Sequence, residues 1–212
     1  MPLTDPTEDL ALLTKMRRGN AAAFEVLYRR HQAPIYRFAL LRGGSPETAA
    51  DIVQEIFMSL FANSLKFDPA RGVLQSFLFG VARNMLLKRD DARVRFVSRT
   101  WPDGDDGADP DDLLIDPAPQ PPQRLLMQEQ AEAVRRALSQ LAPHYRDVVI
   151  LYEMHDLSYL EIAHVCNIDI GTVRSRLSRA RAKLLELLQD ESGEATADVR
   201  AATAPHQQEA RP

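Results

Sequence analysis

A chain of 212 residues, 45% apolar and 26% charged, has the make-up of a globular protein with one large domain or two small ones. It lacks the run of ~20 apolar residues that a membrane span requires, so no membrane insertion is expected. Its single cysteine, Cys166, excludes an internal disulfide framework and fits a reducing, cytoplasmic setting. The opening MPLTDPTEDL has no basic flank followed by an apolar core, so no secretory signal is expected there. A formal net charge of −4 speaks against nucleic acid only until its distribution is read. Residues 103–116 hold seven aspartates and no base, whereas residues 171–183 hold five basic residues and no acid. Residues 83–99 add six basic residues against two aspartates, so an acidic connector separates two basic patches.

In chain order, residues 8–96 carry Leu, Ala, Phe and Arg at helical spacing. Gly43-Gly44-Ser45-Pro46 breaks one helix and opens the next. In that next helix Ile52, Val53, Ile56, Phe57 and Leu60 fall on one face, leaving Asp51, Gln54, Glu55 and Met58 opposite. Asp68-Pro69 marks another break. Beyond it Leu74, Leu78, Val81 and Met85 form a predicted buried line, with Arg83 pointing nearly the other way and Asn84 beside it. Residues 98–123, with six prolines and seven aspartates, bury too little apolar surface to fold alone and read as a flexible linker. Helical periodicity returns over 124–189, and a tail from 190 to 212 is expected to be disordered. The expected fold is all-α: two small helical domains, 1–97 and 124–189, joined by the acidic Pro/Asp-rich linker.

The second domain holds the most specific signal, LSYLEIAHVCNIDIGTVRSRLSRARAKL at residues 157–184. Ser158 and Glu161 make a capping box for a short helix over 159–166. Asn167 and Asp169 interrupt it, and a second helix begins near Ile170, which is a helix-turn-helix spacing. On that second helix Ile170, Val173, Leu177, Ala180 and Leu184 are predicted to face inward. Ser175, Ser178 and Arg179 lie opposite, flanked by Arg174 and Arg176, with Thr172 and Lys183 at either end of the same surface. Small hydroxyls permit close approach to a major groove, and arginine bonds guanine bidentately or neutralises phosphate.

These residues, with Leu141-Ala142-Pro143 upstream, resemble the C-terminal domain of the extracytoplasmic-function (ECF) sigma factors of the sigma-70 family. The N-terminal half agrees independently: AAFEVLYRRHQAPIYRFAL at 22–40, DIVQEIF at 51–57 and SFLFGVARN at 76–84 look like the family's polymerase-binding domain. The resemblance covers residues 9–188 apart from the linker. It implies that Asp51, Gln54 and Glu55, with Met58 as an apolar neighbour, dock on the clamp coiled coil of core RNA polymerase. It implies that Asn84 holds an unstacked base of the promoter −10 element while Arg83, Lys88 and Arg89 neutralise phosphates. Thr172, Arg174, Ser175, Arg176, Ser178, Arg179 and Lys183 would then read the −35 element. Family members are typically held inactive by an anti-sigma protein, so such a partner is implied as well.

The sequence departs from the family pattern at three points. Phe77 stands where the family usually has tryptophan, Lys88 where an aspartate is common, and the linker is longer than in the smallest members. None touches the docking or recognition residues. Phe67, Phe77 and Phe79 are candidates for stacking on bases, although core packing is the favoured role for at least two. No cofactor or metal is expected: there is no glycine-rich phosphate loop or catalytic carboxylate pair, and the five histidines lack ligand spacing. Enzymatic activity therefore finds no support. Two alternatives stay open, a helix-turn-helix regulator that binds DNA without polymerase and a sigma-like decoy that titrates a partner.

Overall fold

The structure, a computed structural model, describes residues 6–43, 45–100 and 122–202; for residues 6, 93–100, 122–129 and 190–202 it describes the backbone alone. The acidic connector over 101–121 and the last residues, 203–212, therefore lie outside the described residues. Among those described there are helices and no strands.

Helix α1 (Pro6–Arg17) places Glu8 and Asp9 in its first turn and Lys15 and Arg17 in its last, both favourable to the helix dipole. Asp9 is buried and tied to α2 (Ala21–Gly43): its carboxylate lies 3.0 Å from His31 Nε2 and accepts from Arg30 at 2.6 Å. Burial alone would raise the Asp9 pKa, but His31 and Arg30 outweigh it and hold the carboxyl below its usual range. Along α2, Leu27, His31, Ile35, Phe38, Ala39 and Arg42 recur every three or four residues on the buried face. Ser45 caps α3 (Pro46–Phe61) by accepting from Thr48 N at 3.1 Å, and Pro46 occupies the first turn, where its missing N–H costs nothing.

A loop with a 3-10 turn (Pro69–Arg71) capped by Asp68 leads to Gly72, whose φ of 138° suits only glycine, and then to α4 (Leu74–Thr100). The second half comprises α5 (Pro122–Gln140), α6 (Pro143–Val149), a π turn (Ile150–Met154), α7 (Tyr159–Cys166) and α8 (Ile170–Ala202). Helices α4 and α8 run past the boundaries expected at 97 and 189; in α8 the added stretch is rich in alanine and glutamate, which favour helix.

The two halves do not merely hang on a tether. Helix α4 packs on α7, and α2 packs on α5 and the π turn, so that one buried cluster runs from Leu13 to Ala180. At the centre of the seam Asp147, 1% exposed, bridges two arginines of the first half. Its Oδ1 accepts from Arg42 Nε at 2.8 Å and its Oδ2 from Arg83 Nε at 2.7 Å. Arg42 also pairs with Asp90 at 2.7 Å. Arg146 donates to the carbonyls of Arg42 (2.7 Å), Leu141 (2.9 Å) and Ser139.

Candidate functional site

Three surfaces carry the residues singled out in the sequence. On α3 the five apolar residues of the stripe are all buried, and Asp51, Gln54, Glu55 and Met58 are all exposed. Asp51 lies 3.6 Å from Arg89 of α4, an exposed pair that contributes little. Beside this face opens a groove of about 830 Å³ between α2 and α3, floored by Phe24, Tyr28, Tyr36 and Phe57. Tyr28 and Phe57 meet edge to face at 4.8 Å, and Phe24 meets Phe61 at 5.7 Å. Met58 and Phe61 are 60% and 61% exposed, too much large apolar surface to be explained by the domain's own packing. Phe61 was not anticipated, since it lies off the stripe; it follows Met58 by one turn and extends the same surface.

On α4 the expected set divides. Asn84 and Lys88 are exposed one turn apart, and Arg89 is partly exposed. Arg83 does not point into solvent: its guanidinium is spent on Asp147, 64 positions away in sequence. The buried line is also wider than Leu74, Leu78, Val81 and Met85. Among the described side chains of α4, Leu74, Ser76, Leu78, Phe79, Ala82 and Leu86 are buried, while Val81 and Met85 are half-buried. Phe79 is thereby removed from the stacking candidates. Phe67 and Phe77 remain half-buried with ring centres 5.5 Å apart.

The helix-turn-helix forms as its spacing requires. Glu161 N donates to Ser158 Oγ at 3.3 Å and Ser158 N donates to Glu161 Oε2 at 2.9 Å, closing the capping box. Asn167 ends α7 in the left-handed region at φ 54°, a conformation asparagine tolerates, and α8 starts three residues later. On α8 Val173, Leu177 and Ala180 are buried and Leu184 half-buried, whereas Ile170, in the first turn, is exposed. Arg174, Ser175, Ser178, Arg179 and Lys183 face solvent, with Thr172 and Arg176 half-buried at the edge. Arg174 stacks over Tyr159 at 5.9 Å, which limits its rotamers. Arg181 is held by Glu153 at 2.6 Å and over Tyr152 at 5.0 Å, and Lys183 pairs with Glu186 at 3.0 Å. The basic run is thus partly self-neutralised, leaving Arg174 and Arg179 as its outward arginines. Cys166 is buried beneath this unit, and burial raises its thiol pKa to about 11.

Among the described residues no cluster of His, Cys, Asp and Glu is arranged to hold a metal, and no helix is long and apolar enough to cross a membrane.

An exposed polar face on α3, an outward asparagine on α4 and a helix-turn-helix in the second half are the arrangement expected of a transcription initiation factor of the sigma-70 type. Residues 27–95 match the family model for sigma-70 region 2, and residues 131–184 match that for sigma-70 region 4. The chain is 32% identical over 182 residues to the ECF RNA polymerase sigma factor SigM of Mycobacterium tuberculosis, covering 85% of this chain and 84% of that one. It is 28% identical over 193 residues to the ECF sigma factor SigE of Mycolicibacterium smegmatis, covering 91% of this chain and 72% of the relative. Among solved structures it is similar to the sigma factor RpoE of Bartonella quintana in complex with the anti-sigma factor NepR. The TM-score there is 0.60 at 28% identity, over 78% of this chain and 96% of that one. It is also similar to CnrH in complex with the cytosolic domain of CnrY, with TM-score 0.58 at 25% identity, over 86% of this chain and 98% of that one. The chain belongs to the ECF RNA polymerase sigma factors.

Proposed function

We propose that this sigma factor docks on core polymerase through Asp51, Gln54, Glu55 and Met58, with Phe61 extending the contact. Asn84 takes a base of the opened −10 element, and Lys88, Arg89 and Arg83 neutralise the adjoining phosphates. The α8 surface of Thr172, Arg174, Ser175, Arg176, Ser178, Arg179 and Lys183 reads the −35 element. The factor works in the cytoplasm as a binding subunit with no reaction of its own. Its functional units are 1–97 and 124–189, with 98–123 as connector and 190–212 as an appended tail. The similarity to RpoE, solved in complex with the anti-sigma factor NepR, supports an anti-sigma partner for this chain too.

The observation that carries the docking assignment is the clean partition of α3. Its apolar stripe is wholly consumed by the domain core, so the acidic and amide side chains opposite take no part in that core, and the exposed Asp51–Arg89 pair adds little. Replacing Asp51, Gln54 and Glu55 together by alanine is expected to abolish core-polymerase binding and leave the melting temperature unchanged. Retained polymerase affinity in a normally folded triple variant overturns the assignment. A duplex gel shift with and without core polymerase completes the test, since binding that ignores polymerase would favour an autonomous regulator.

A further inference from the structure

We propose that Tyr152 and Tyr159 form a two-ring platform that positions Arg174 for contact with the −35 element, an assignment that rests on the reading of α8 as the −35 surface. It adds to that surface two positioning residues that lie off the helix. Arg174 and Arg181 are seven residues apart on α8, about two turns, and so share one line along it. Beside that line lie the two rings, their centres 5.3 Å apart at an interplanar angle of 39°. Arg174 Cζ sits 5.9 Å from the centre of the Tyr159 ring, and Arg181 Cζ sits 5.0 Å from that of Tyr152. Both distances fall within the ~6 Å over which an aromatic face holds a guanidinium.

The two arginines are not equivalent. Arg181 donates through Nε and Nη2 to one oxygen of Glu153, at 2.8 and 2.6 Å, and its charge is answered there. Arg174 is exposed and, among the described residues, has no carboxylate partner. Of the two guanidiniums on the platform, Arg174 alone keeps a free positive charge and an open fork of donors for DNA. A long side chain that roams in solvent loses rotamer freedom when it binds. One already laid on a ring has less to lose.

The rings are themselves held in place. Each is half-buried, with part of its surface packed on the buried cluster and part left to the arginines. Tyr159 opens α7, whose start is fixed by the Ser158–Glu161 capping box. Tyr152 sits in the π turn Ile150–Met154, a local widening of the helix of the kind that gathers at functional sites. Tyr159 meets Arg174 directly, and Tyr152 reaches it through Tyr159, which grades the effects expected of the two.

The test uses holoenzyme assembled from the full chain and core RNA polymerase. Its probe is a promoter duplex chosen by wild-type holoenzyme from a library randomised over the −35 element. Tyr159→Leu is expected to weaken binding to that duplex roughly two- to fivefold, the range of an exposed cation–π contact, and Tyr152→Leu to weaken it less. Tyr159→Phe and Tyr152→Phe keep a ring and should bind as wild type does. In an Arg174→Ala background neither leucine substitution should cost anything further, since a positioning residue has nothing left to position. A full loss in that background overturns the platform, because the ring would then act on DNA or on the fold by itself. Leucine variants that bind as tightly as wild type overturn it too, as do phenylalanine variants as weak as the leucine ones. Should Tyr152→Leu fail to fold, Tyr159→Leu and its phenylalanine counterpart decide. If Arg174→Ala itself costs no affinity, the −35 role of Arg174 falls and takes the platform with it. If Arg174→Ala weakens binding while the leucine variants do not, the platform alone falls.

Discussion

His155 is the residue at which acid should be felt first. It sits in the seam with its ring 4.6 Å from Phe79 and 6.3 Å from Phe38, and its Nε2 is buried without a partner. Burial, then the positive charge of Arg37, drives its pKa down to about 4, with Asp156 opposing. A histidine whose folded value lies below the unfolded ~6.5 leaves stability undiminished above that value. As pH falls from ~6.5 towards ~4 the open or unfolded chain gains protons preferentially, and stability drops by up to ~1.4 kcal/mol per pH unit. Melting temperatures measured between about pH 7 and 5 should show this slope in the wild type and not in His155→Phe. An unaltered slope in the variant would assign the acid sensitivity elsewhere. Cys166, in the same seam, is protonated at neutral pH and behaves as a small packing residue.

At the scale of the helix, α3 and α4 differ in what the sequence discloses, and the difference is physical. Helix α3 buries one face only, so its 3.6-residue stripe names both the core and the exposed residues opposite it. Helix α4 buries one side against its own domain and another against α7, which smears the stripe; hence Phe79, Ala82 and Leu86 escaped the periodicity, and Arg83 was placed in solvent. A partner 64 positions away is invisible to any local pattern. The helix-turn-helix was legible to within a residue, because its capping box and left-handed Asn167 are local chemistry. Its one misplaced residue, Ile170, lies in the first turn of α8, where the chain has only just entered the helix.

Two predictions belong at this scale. Asn84→Ala should leave closed-complex formation nearly unchanged and reduce the open complex, with a smaller defect on a template already mismatched at −10; equal defects on both templates would point to packing. On α8, Arg179→Ala is expected to cost about 1–3 kcal/mol and relax specificity at one position of the −35 element. Lys183→Ala, whose ammonium is shared with Glu186, should weaken all sequences alike and only slightly. A uniform loss for Arg179 as well would mean that α8 grips phosphate without reading.

For the whole molecule the net charge is a poor guide, because seven of its 30 acids crowd into residues 103–116, between two stretches rich in arginine and lysine. What the fold adds is the meeting of Arg42 and Arg83 of the first half on Asp147 of the second, a juxtaposition that neither domain's sequence announces.

The continuity of the buried cluster across that seam has a calorimetric consequence. Phe79 of the first half packs its ring on His155 of the second, and the Val165 carbonyl of the second faces Gly80 of the first. Neither half can melt without stripping apolar area from the other, so heating the wild-type chain should give one endotherm, with calorimetric and van't Hoff enthalpies in agreement. A Cβ at Gly80 would already touch the Val165 carbonyl at 3.9 Å, so the longer side chain of Gly80→Leu is expected to push α4 from α7. Each half then keeps its private core, and the single peak should split into two, the shorter second half absorbing less heat. One undivided peak in that variant would mean that the two cores remain thermally coupled by something other than the α4–α7 contact.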